Sequence, residues 1–338
     1  MKGIEQMKKL VLAVGAVLSV GAAFAASYNV STYVELTNAL VSVVQSGDEV
    51  VIAASTEPYV LTAALTVPAG VTVRGATGNF NDVVLSGDGK CGGLTLTQGT
   101  SASVQTVISN LTITSCVSAG GTAGLTVKKW STAENCRVTG CWATAQGSWG
   151  VGVNLATDGV INRCVIDGNY TLDTFDGHRG VGIYANGGTV TDTVITNNYV
   201  PKSKLSDGYW QGGAGARAEG GATFRRCYFA NNRIGAISQG ANTLGIALYA
   251  SSHVYLYNCT FEQNNYESAI ADNLYAVTFS HASSKMQKCV FLGNRQADGA
   301  LNNVSISSSY ADANYVDNAS DGVAETIASK VAIAVSPA

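Results

Sequence analysis

The sequence predicts an all-β fold, a parallel β-helix, on the evidence of a six-residue phrase that recurs about every thirty residues. In its clearest copy, from Cys164 to Asn169, the first residue is small, the third is Ile and the sixth is Asn. A fixed phrase with elastic spacing is typical of a solenoid whose insertions fall on one side. Its eight copies cover residues 83–88, 111–116, 136–141, 164–169, 193–198, 227–232, 259–264 and 289–294.

A second set of short strands, each led by Gly, alternates with the phrase. These strands begin at Gly124, Gly150, Gly180, Gly213 and Gly245. Period-two alternation places Val181 and Ile183 on the buried side and Tyr184 on the other. Parallel strands stacked in register with one buried face form a β-helix, which we expect over residues 54–304. Earlier short strands are expected at 61–67, 71–74, 83–85, 94–97 and 104–113.

The Asn in the sixth slot of the phrase has a structural explanation. Asn tolerates the backbone of a tight turn, and its amide can both donate to and accept from the same amide one coil away. We therefore expect these residues to hold the turns and not to bind a ligand.

The N-terminus has the pattern of an export signal, residues 1–25. Lys8 and Lys9 precede an apolar run over 10–22, and Ala23-Phe24-Ala25 gives the small-x-small pattern for cleavage after Ala25. The run is short for a membrane span. We expect a protein secreted or held at the bacterial cell surface or outer membrane, with no transmembrane segment after the signal is removed.

The solenoid needs a cap, because an open end exposes strand edges and apolar core. A helix over 31–45 is predicted by a capping box of Thr32 and Glu35 and by the apolar period that follows. With the strand at 49–53, which we take as the first, it forms an N-terminal cap over 26–53. Residues 305–338 are expected to form a C-terminal tail or terminal coil, with a candidate last strand at 331–335.

Composition excludes two broad classes. Hydrophobic residues make up 46% of the 338 residues and charged residues 13%, which is the reverse of the profile of a disordered chain. The net charge of −3 argues against a nucleic-acid partner, which usually requires a basic surface. We expect a monomer.

The cysteines follow the repeat. Five of the eight occupy the first slot of the phrase, and Cys116 and Cys141 occupy the sixth slot of consecutive copies. Stacked strands lie about 4.8 Å apart, wider than the usual Cβ separation of a disulfide, about 3.8 Å. This favours free core thiols over a disulfide framework. Cys116–Cys141 is the pair best placed to form a disulfide, because turn positions have more freedom to adjust.

The phrase and the Gly-led strands together resemble the right-handed parallel β-helix of the pectin-lyase-like superfamily. Val71-Thr-Val-Arg-Gly and Val84-Leu-Ser-Gly resemble the first coil of its secreted bacterial members. The copies that end at Asn232, Asn264 and Asn294 are similar to the repeats of polymorphic outer-membrane adhesins. The resemblance covers residues 48–300 and implies the fold more specifically than any activity.

Aromatic residues concentrate in the segments that follow the Asn turns. These segments, 142–149, 170–179, 199–212, 233–243 and 265–271, are predicted to be loops along one edge of the solenoid. Beside them we expect an outward row on the Gly-led strands formed by Lys128, Asn154, Tyr184, Arg217 and Tyr249. An aromatic-edged groove on a rigid scaffold suits sugar rings. The candidate ligand-binding residues are Trp142, Trp149, Tyr184, Tyr209, Trp210, Arg217 and Tyr249. In the alternative, these aromatics pack their own loops against the sheet.

One stretch could carry catalysis. Asp173, Asp176, His178 and Arg179 place two carboxylates, an imidazole and a guanidinium within seven residues, enough for a general acid and base or for orienting a uronate. The resemblance implies that a lyase would bind Ca²⁺ through carboxylates and use an Arg or Lys base. No metal-ligand spacing is found, and we expect no cofactor unless the protein is such a lyase. The charged residues before the phrase, Arg163, Asp192 and Arg226, are interpreted as a charge-compensated ladder.

Two functions remain open from sequence. The first is a non-catalytic surface or secreted protein that binds polysaccharides or glycoprotein glycans, as an adhesin does. The alternative is a polysaccharide lyase or glycoside hydrolase acting on an acidic polysaccharide.

Overall fold

Four parallel β-sheets wind into one solenoid. The computed structural model describes residues 25–145, 149–172, 179–203, 212–237, 244–267, 274–281, 283–295, 304–306, 315–316 and 319–320. All strand pairs are parallel, and neighbours in each sheet come from successive coils. The predicted last strand at 331–335 lies outside the described residues.

Two of the sheets meet at a sharp turn. Sheet A contains Ser27–Val30, Glu49–Ile52, Thr72–Gly75, Thr106–Ser109, Ser131–Glu134, Val160–Asn162, Thr189–Thr191, Thr223–Arg225, Tyr255–Tyr257, Lys285–Gln287 and Tyr315–Val316. Sheet B holds the middle of each phrase and contains Tyr59–Val60, Val84–Ser86, Thr112–Thr114, Arg137–Thr139, Val165–Asp167, Val194–Thr196, Tyr228–Ala230, Thr260–Glu262, Val290–Leu292 and Ala319–Ser320.

The other two sheets flank the variable segments. Sheet C holds the Gly-led strands and contains Leu65–Val67, Leu94–Leu96, Leu125–Val127, Val153–Leu155, Ile183–Asn186, Ala216–Glu219, Leu244–Ala250, Leu274–Phe279 and Val304–Ile306. Sheet D contains Val117–Ser118, Trp142–Ala143, Tyr170–Thr171, Tyr199–Ser203, Arg233–Ile237 and Asn265–Tyr266. Sheet D corrects the prediction that the segments after the Asn turns are entirely loop, since each begins with a strand that pairs with its counterpart one coil away.

From Asn110 onward, the turn from sheet A to sheet B is made in each coil by one residue with positive φ. Asn110, Asn135 and Arg163 have φ of 57°, 48° and 51°, and the same position recurs in later coils. Asn visits this left-handed region readily, whereas other non-Gly side chains cost roughly 1–2 kcal/mol there. This turn divides the single strand predicted at 104–113 into Thr106–Ser109 and Thr112–Thr114.

The core is built from the inward rows of these sheets. The third slot of the phrase is fully buried in each coil, and in the last three it forms a stack of Phe229, Phe261 and Phe291. Their ring centroids are 4.9 Å apart at both steps, with interplanar angles of 16° and 9°. In-register pairing therefore places identical rings face to face.

The Asn in the sixth slot forms a continuous ladder, which confirms the structural role expected for it. Asn169, Asn198, Asn232, Asn264 and Asn294 are all completely buried. Each Nδ2 donates to the Oδ1 one coil further on, at 2.9–3.0 Å, from Asn169 through to Asn294. Each Oδ1 also accepts a hydrogen bond from a backbone amide one coil earlier, as Asn232 Oδ1 does from Asn198 N at 3.2 Å.

The eight cysteines are free thiols, as the spacing favoured. Seven are buried, and Cys91 is half-buried. The thiols lie in contact in stacks along the solenoid, as Cys136 does with Cys164 and Cys116 with Cys141. Burial raises the pKa of the Cys136 thiol, which makes it a poor nucleophile.

Thiol labelling should distinguish Cys91 from the rest. In the native protein at mildly alkaline pH, we expect iodoacetamide to modify Cys91 first, because it is half-buried whereas the other seven cysteines are buried. In denaturant without reductant, all eight should react. Intact mass measures both numbers, and fewer than eight labels in denaturant would show that disulfides form.

The N-terminal cap helix begins as predicted, but its later residues differ from the prediction. Thr32 and Glu35 form the capping box, with Glu35 N donating to Thr32 Oγ1 at 3.1 Å. The α-helix covers Tyr33–Asn38 and widens into a π-helical turn over Ala39–Val43. A strand at Ser27–Val30 precedes it, so Glu49–Ile52 is the second strand of sheet A and not the first. A 3₁₀ turn covers Phe80–Asp82. Within the described ranges, no helix is long and apolar enough to cross a membrane.

Candidate functional site

The outward row of sheet C is set by strand register. Pairing places Thr126, Asn154, Tyr184, Arg217, Tyr249 and Thr278 side by side. Thr126 thus takes the place predicted for Lys128. Gly124 therefore matches Gly152 in register and not Gly150. Gly150 has a positive φ of 61° and belongs to the turn before its strand.

The centre of this row is buried, contrary to the expectation of an open face. Tyr184, Arg217 and Tyr249 are 2%, 5% and 2% exposed, whereas Asn154 is half-buried. Side-chain alternation correctly assigned these residues to the outer side of the sheet. They are nevertheless enclosed, so ligand access is confined to the margin of the row.

These three residues belong to a larger cluster of polar and aromatic side chains. We define the sheet-C cluster as Trp149, Arg179, Tyr184, Arg217, Glu219, Tyr249 and Ser251. Its polar centre is Glu219, which accepts hydrogen bonds from the Tyr184 hydroxyl and, at 2.7 Å, from Ser251 Oγ. Arg217 Nη2 lies 3.7 Å from Glu219 Oε2. One carboxylate therefore joins three successive coils.

The aromatic part of the cluster lies at the exposed margin. The Trp149 ring is 5.2 Å from the Tyr184 ring at an angle of 52°, and the Arg179 guanidinium lies 4.6 Å above the Trp149 ring. Trp149 is 41% exposed and Arg179 is half-buried. Backbone bridges from Trp149 to Arg179 and from Arg179 to Gly212 hold the three positions in line.

Gly212 completes this line for a steric reason. A Cβ at Gly212 would lie 2.5 Å from the Tyr249 ring, so no larger residue fits without displacing it. The Arg217 guanidinium is 5.4 Å from the centre of the same ring. The cluster thus contains one buried arginine, Arg217, beside Tyr249, and a second arginine, Arg179, at its margin beside Trp149.

The charges of the cluster are fixed by its contacts. Burial raises the pKa of Tyr184, and the hydrogen bond to Glu219 raises it further. Burial opposes ionisation of Glu219, but hydrogen bonds from Tyr184 and Ser251 and the charge of Arg217 outweigh it and lower the pKa of Glu219. At neutral pH Glu219 is therefore ionised, and it shares the cluster with two arginines, Arg179 and Arg217.

Trp142 lies on a different sheet from the cluster. It belongs to sheet D, where its ring stacks on Tyr170 at 5.8 Å and 12° and its edge meets the turn at Gly89. Further along the same sheet, the Arg233 guanidinium lies 4.9 Å from the Tyr199 ring. Because Tyr170 covers one face of the Trp142 ring, that face is not available to a ligand. The other predicted residues, Asp173, Asp176, His178, Tyr209 and Trp210, lie outside the described residues.

The charge-compensated ladder predicted for Arg163, Asp192 and Arg226 forms in one of its two steps, between Asp192 and Arg226, whereas Arg163 has a different partner. Arg226 Nε and Nη2 donate to the two Asp192 oxygens at 2.6 and 2.7 Å. Arg163 pairs with Glu134. Across the described ranges, no group of three or more His, Cys, Asp or Glu side chains is arranged to hold a metal ion.

Glu219 and Ser251 were not predicted as site residues. The sequence contains a signal for both. Glu219 lies two residues after Arg217, and Ser251 lies two residues after Tyr249, and both Arg217 and Tyr249 belong to the outward row. Residues two apart on a strand share a face. Extending each Gly-led strand by one step of the alternation would have placed the carboxylate and the hydroxyl beside the arginine.

An all-parallel solenoid with a buried Asn ladder and variable segments on one side defines the β-helix class of protein. The chain matches the family model for the right-handed β-helix region over residues 146–333, more than half its length, and it belongs to that family. This confirms the predicted handedness and is consistent with the pectin-lyase-like superfamily. A search of curated proteins finds no match.

Proposed function

We propose that this β-helix is an exported, non-catalytic protein of the cell surface or medium that binds glycans at the exposed margin of the sheet-C cluster. The observation that carries the proposal is Trp149, which is 41% exposed while its ring contacts both Tyr184 and the Arg179 guanidinium. A large apolar ring kept partly in solvent and fixed on a rigid sheet is a suitable surface for the apolar face of a sugar.

The charges of the cluster favour acidic glycans. Arg179 and Arg217 outnumber Glu219, and Arg179 is the arginine at the margin. A guanidinium presents planar paired donors that match a carboxylate. A sugar that stacks on Trp149 with a carboxylate directed at Arg179 would use both groups at once. Uronates and sialic acids are the sugars with this chemistry.

The enzymatic alternative is favoured by one observation, the position of Arg179 in the cluster. Arg179 is the last residue of the predicted catalytic stretch, so the chain leaves that stretch beside Trp149 and enters sheet C. Glycoside hydrolysis requires two carboxyl groups about 5–10 Å apart. Glu219 is the cluster's described carboxylate, and it is held by Tyr184 and Ser251. Sustained turnover of pectic or mucin polysaccharides that is lost in Asp176→Asn would establish the alternative.

Binding should depend on Trp149 and not on Trp142. We expect the protein to bind acidic glycans on an array, and Trp149→Ala to weaken the strongest interaction about tenfold, since loss of ring contact and cation–π support costs about 1–2 kcal/mol. Trp142→Ala is the matched control, because this ring stacks on Tyr170 on another sheet. Calorimetric titration of both variants measures the effect. Equal affinities for the two variants, or binding of neutral glycans alone, would contradict the proposal.

A further inference from the structure

Asp48 is a buried carboxylate that joins two backbone segments at the N-terminal end of the solenoid. It is 8% exposed. Its Oδ1 accepts a hydrogen bond from Ala26 N at 2.8 Å, and its Oδ2 accepts one from Gln45 N at 2.8 Å. Gln45 follows the cap helix, and Ala26 precedes the first strand, Ser27–Val30. One side chain therefore fixes both the end of the cap and the start of sheet A.

The backbone around Asp48 is equally well anchored. Glu49 N donates to Ala26 O at 2.8 Å, and Thr72 N donates to Asp48 O at 2.9 Å. These bonds hold the Ala26 nitrogen beside a carboxylate that has little contact with solvent. An electrostatic interaction in such a place is stronger than the same interaction at an exposed surface.

We propose that proteolytic removal of the leader at the Ala25–Ala26 bond creates an ammonium group at Ala26 that pairs with Asp48 and so completes the N-terminal cap. In this cleavage, water splits the peptide bond. Its oxygen goes to the Ala25 carbonyl carbon, which leaves as a carboxylate, and the Ala26 nitrogen becomes an amine that takes a proton. The hydrogen bond from the uncharged Ala26 amide to Asp48 Oδ1 becomes an ion pair in the same position.

The geometry selects this bond over its neighbours. If the leader were cut one or more residues earlier, the Ala26 nitrogen would remain an uncharged amide. If the cut fell after Ala26, both the nitrogen that contacts Asp48 and the carbonyl that accepts from Glu49 N would be lost. Ala25 itself is exposed. The sequence pattern and the position of Asp48 thus point independently to the same new N-terminus.

The Asp48 carboxylate is prepared for a cationic partner. Hydrogen bonds from the Gln45 and Ala26 amides lower the pKa of Asp48, so the side chain is ionised at neutral pH. A charged donor forms a stronger bond to a carboxylate than a neutral amide does. Cleavage therefore adds stability at the terminus, where a solenoid is otherwise open.

The first arm of the test locates the mature terminus. The full chain is expressed in a bacterial host that exports it, and the exported protein is analysed by intact mass and N-terminal sequencing. We expect Ala26 at the N-terminus. An exported protein that begins at any other residue would overturn the proposal.

The second arm measures the ion pair. Two proteins, starting at Ala26 and at Ala25, are released from a cleavable fusion, and each is also made with Asp48→Asn. We expect the Ala26 form to have an unfolding equilibrium constant about fivefold smaller than the Ala25 form, since an ammonium donor replaces an uncharged amide at the same carboxylate. The difference should vanish in the Asp48→Asn pair. Equal stability of the two proteins that retain Asp48 would refute the ion pair, even if the Asp48→Asn variants do not fold.

Discussion

Replacing Asn232 by Ala should lower the free energy of unfolding by about 3–5 kcal/mol. Asn232 is completely buried in the middle of the ladder. Its Oδ1 accepts from the backbone and side-chain amides of Asn198, and its Nδ2 donates to Ile195 O and to Asn264 Oδ1. The substitution leaves several buried groups without these partners, and each costs about 1–3 kcal/mol.

The neighbouring residue provides a matched control. Asn231 is exposed and has a φ of 52°, and its side chain is outside the ladder. Asn231→Gly suits this left-handed conformation, so we expect a change of about 0.5 kcal/mol or less in either direction. Urea denaturation followed by circular dichroism compares the two variants. Similar losses in both would mean that turn conformation, and not the amide ladder, is what the phrase supplies.

Hydrogen exchange should show where the effect of Asn232→Ala is felt. In a solenoid each coil contacts its neighbours, so stability is transmitted locally. We expect amide protection to fall most in the coils of Asn198, Asn232 and Asn264, which the ladder joins directly. Protection that falls uniformly from the cap to Asn294 would show that the solenoid unfolds as a single unit.

The fold could be predicted because its determinants are local and repeated. The third slot of the phrase and its Asn are buried in coil after coil for the same reason. Once one clear copy, Cys164–Asn169, is understood, the other copies can be assigned the same roles. The prediction failed where the repeat varies, because one Gly-led strand was aligned with the others in the wrong register. Lys128 was assigned to the outward row because Gly150 and Gly124 both open a Gly-led segment, although only Gly150 has the positive φ of a turn.

The site could be predicted only in part. Alternation identifies the side of the sheet on which Tyr184 and Tyr249 lie, but it carries no information on what encloses them, and both are 2% exposed. The pairing of Tyr184 with Glu219 joins residues 35 apart in the sequence. That separation depends on the length of the intervening segment, which varies from coil to coil. Register, and not composition, brings these residues together.

Replacing Glu219 by Gln should destabilise the protein by about 2 kcal/mol. The variant keeps an oxygen for the Tyr184 hydroxyl but removes the negative charge that lies 3.7 Å from the Arg217 guanidinium, whose side chain is 6% exposed. Removing one member of a buried pair costs roughly 3–5 kcal/mol. The expected loss is smaller because a quarter of the Glu219 side chain is exposed to solvent.

A similar pair on sheet B serves as the control for Glu219→Gln. There the Tyr228 hydroxyl donates to Glu262 Oε2 at 2.5 Å, and both residues are half-buried. Burial, with the hydrogen bond to Glu262, raises the pKa of Tyr228 to about 12, so the two pairs share their chemistry. Glu262→Gln should cost about 0.5 kcal/mol or less, since this pair is more exposed. Thermal or urea denaturation that ranks Glu262→Gln as the more harmful would refute the ionic role of Glu219 in the cluster.

The effect of Glu219 should depend on pH in a defined direction. Because the folded protein lowers the pKa of Glu219, the carboxylate contributes stability above the ordinary Glu pKa of about 4.3 and loses it as the pH falls through the folded value. The difference between wild type and Glu219→Gln should therefore be full at pH 7 and shrink below about pH 4.3. Urea midpoints measured from pH 7 to pH 3 test this. A difference that stays constant over that range would mean that Glu219 acts through its shape and not through its charge.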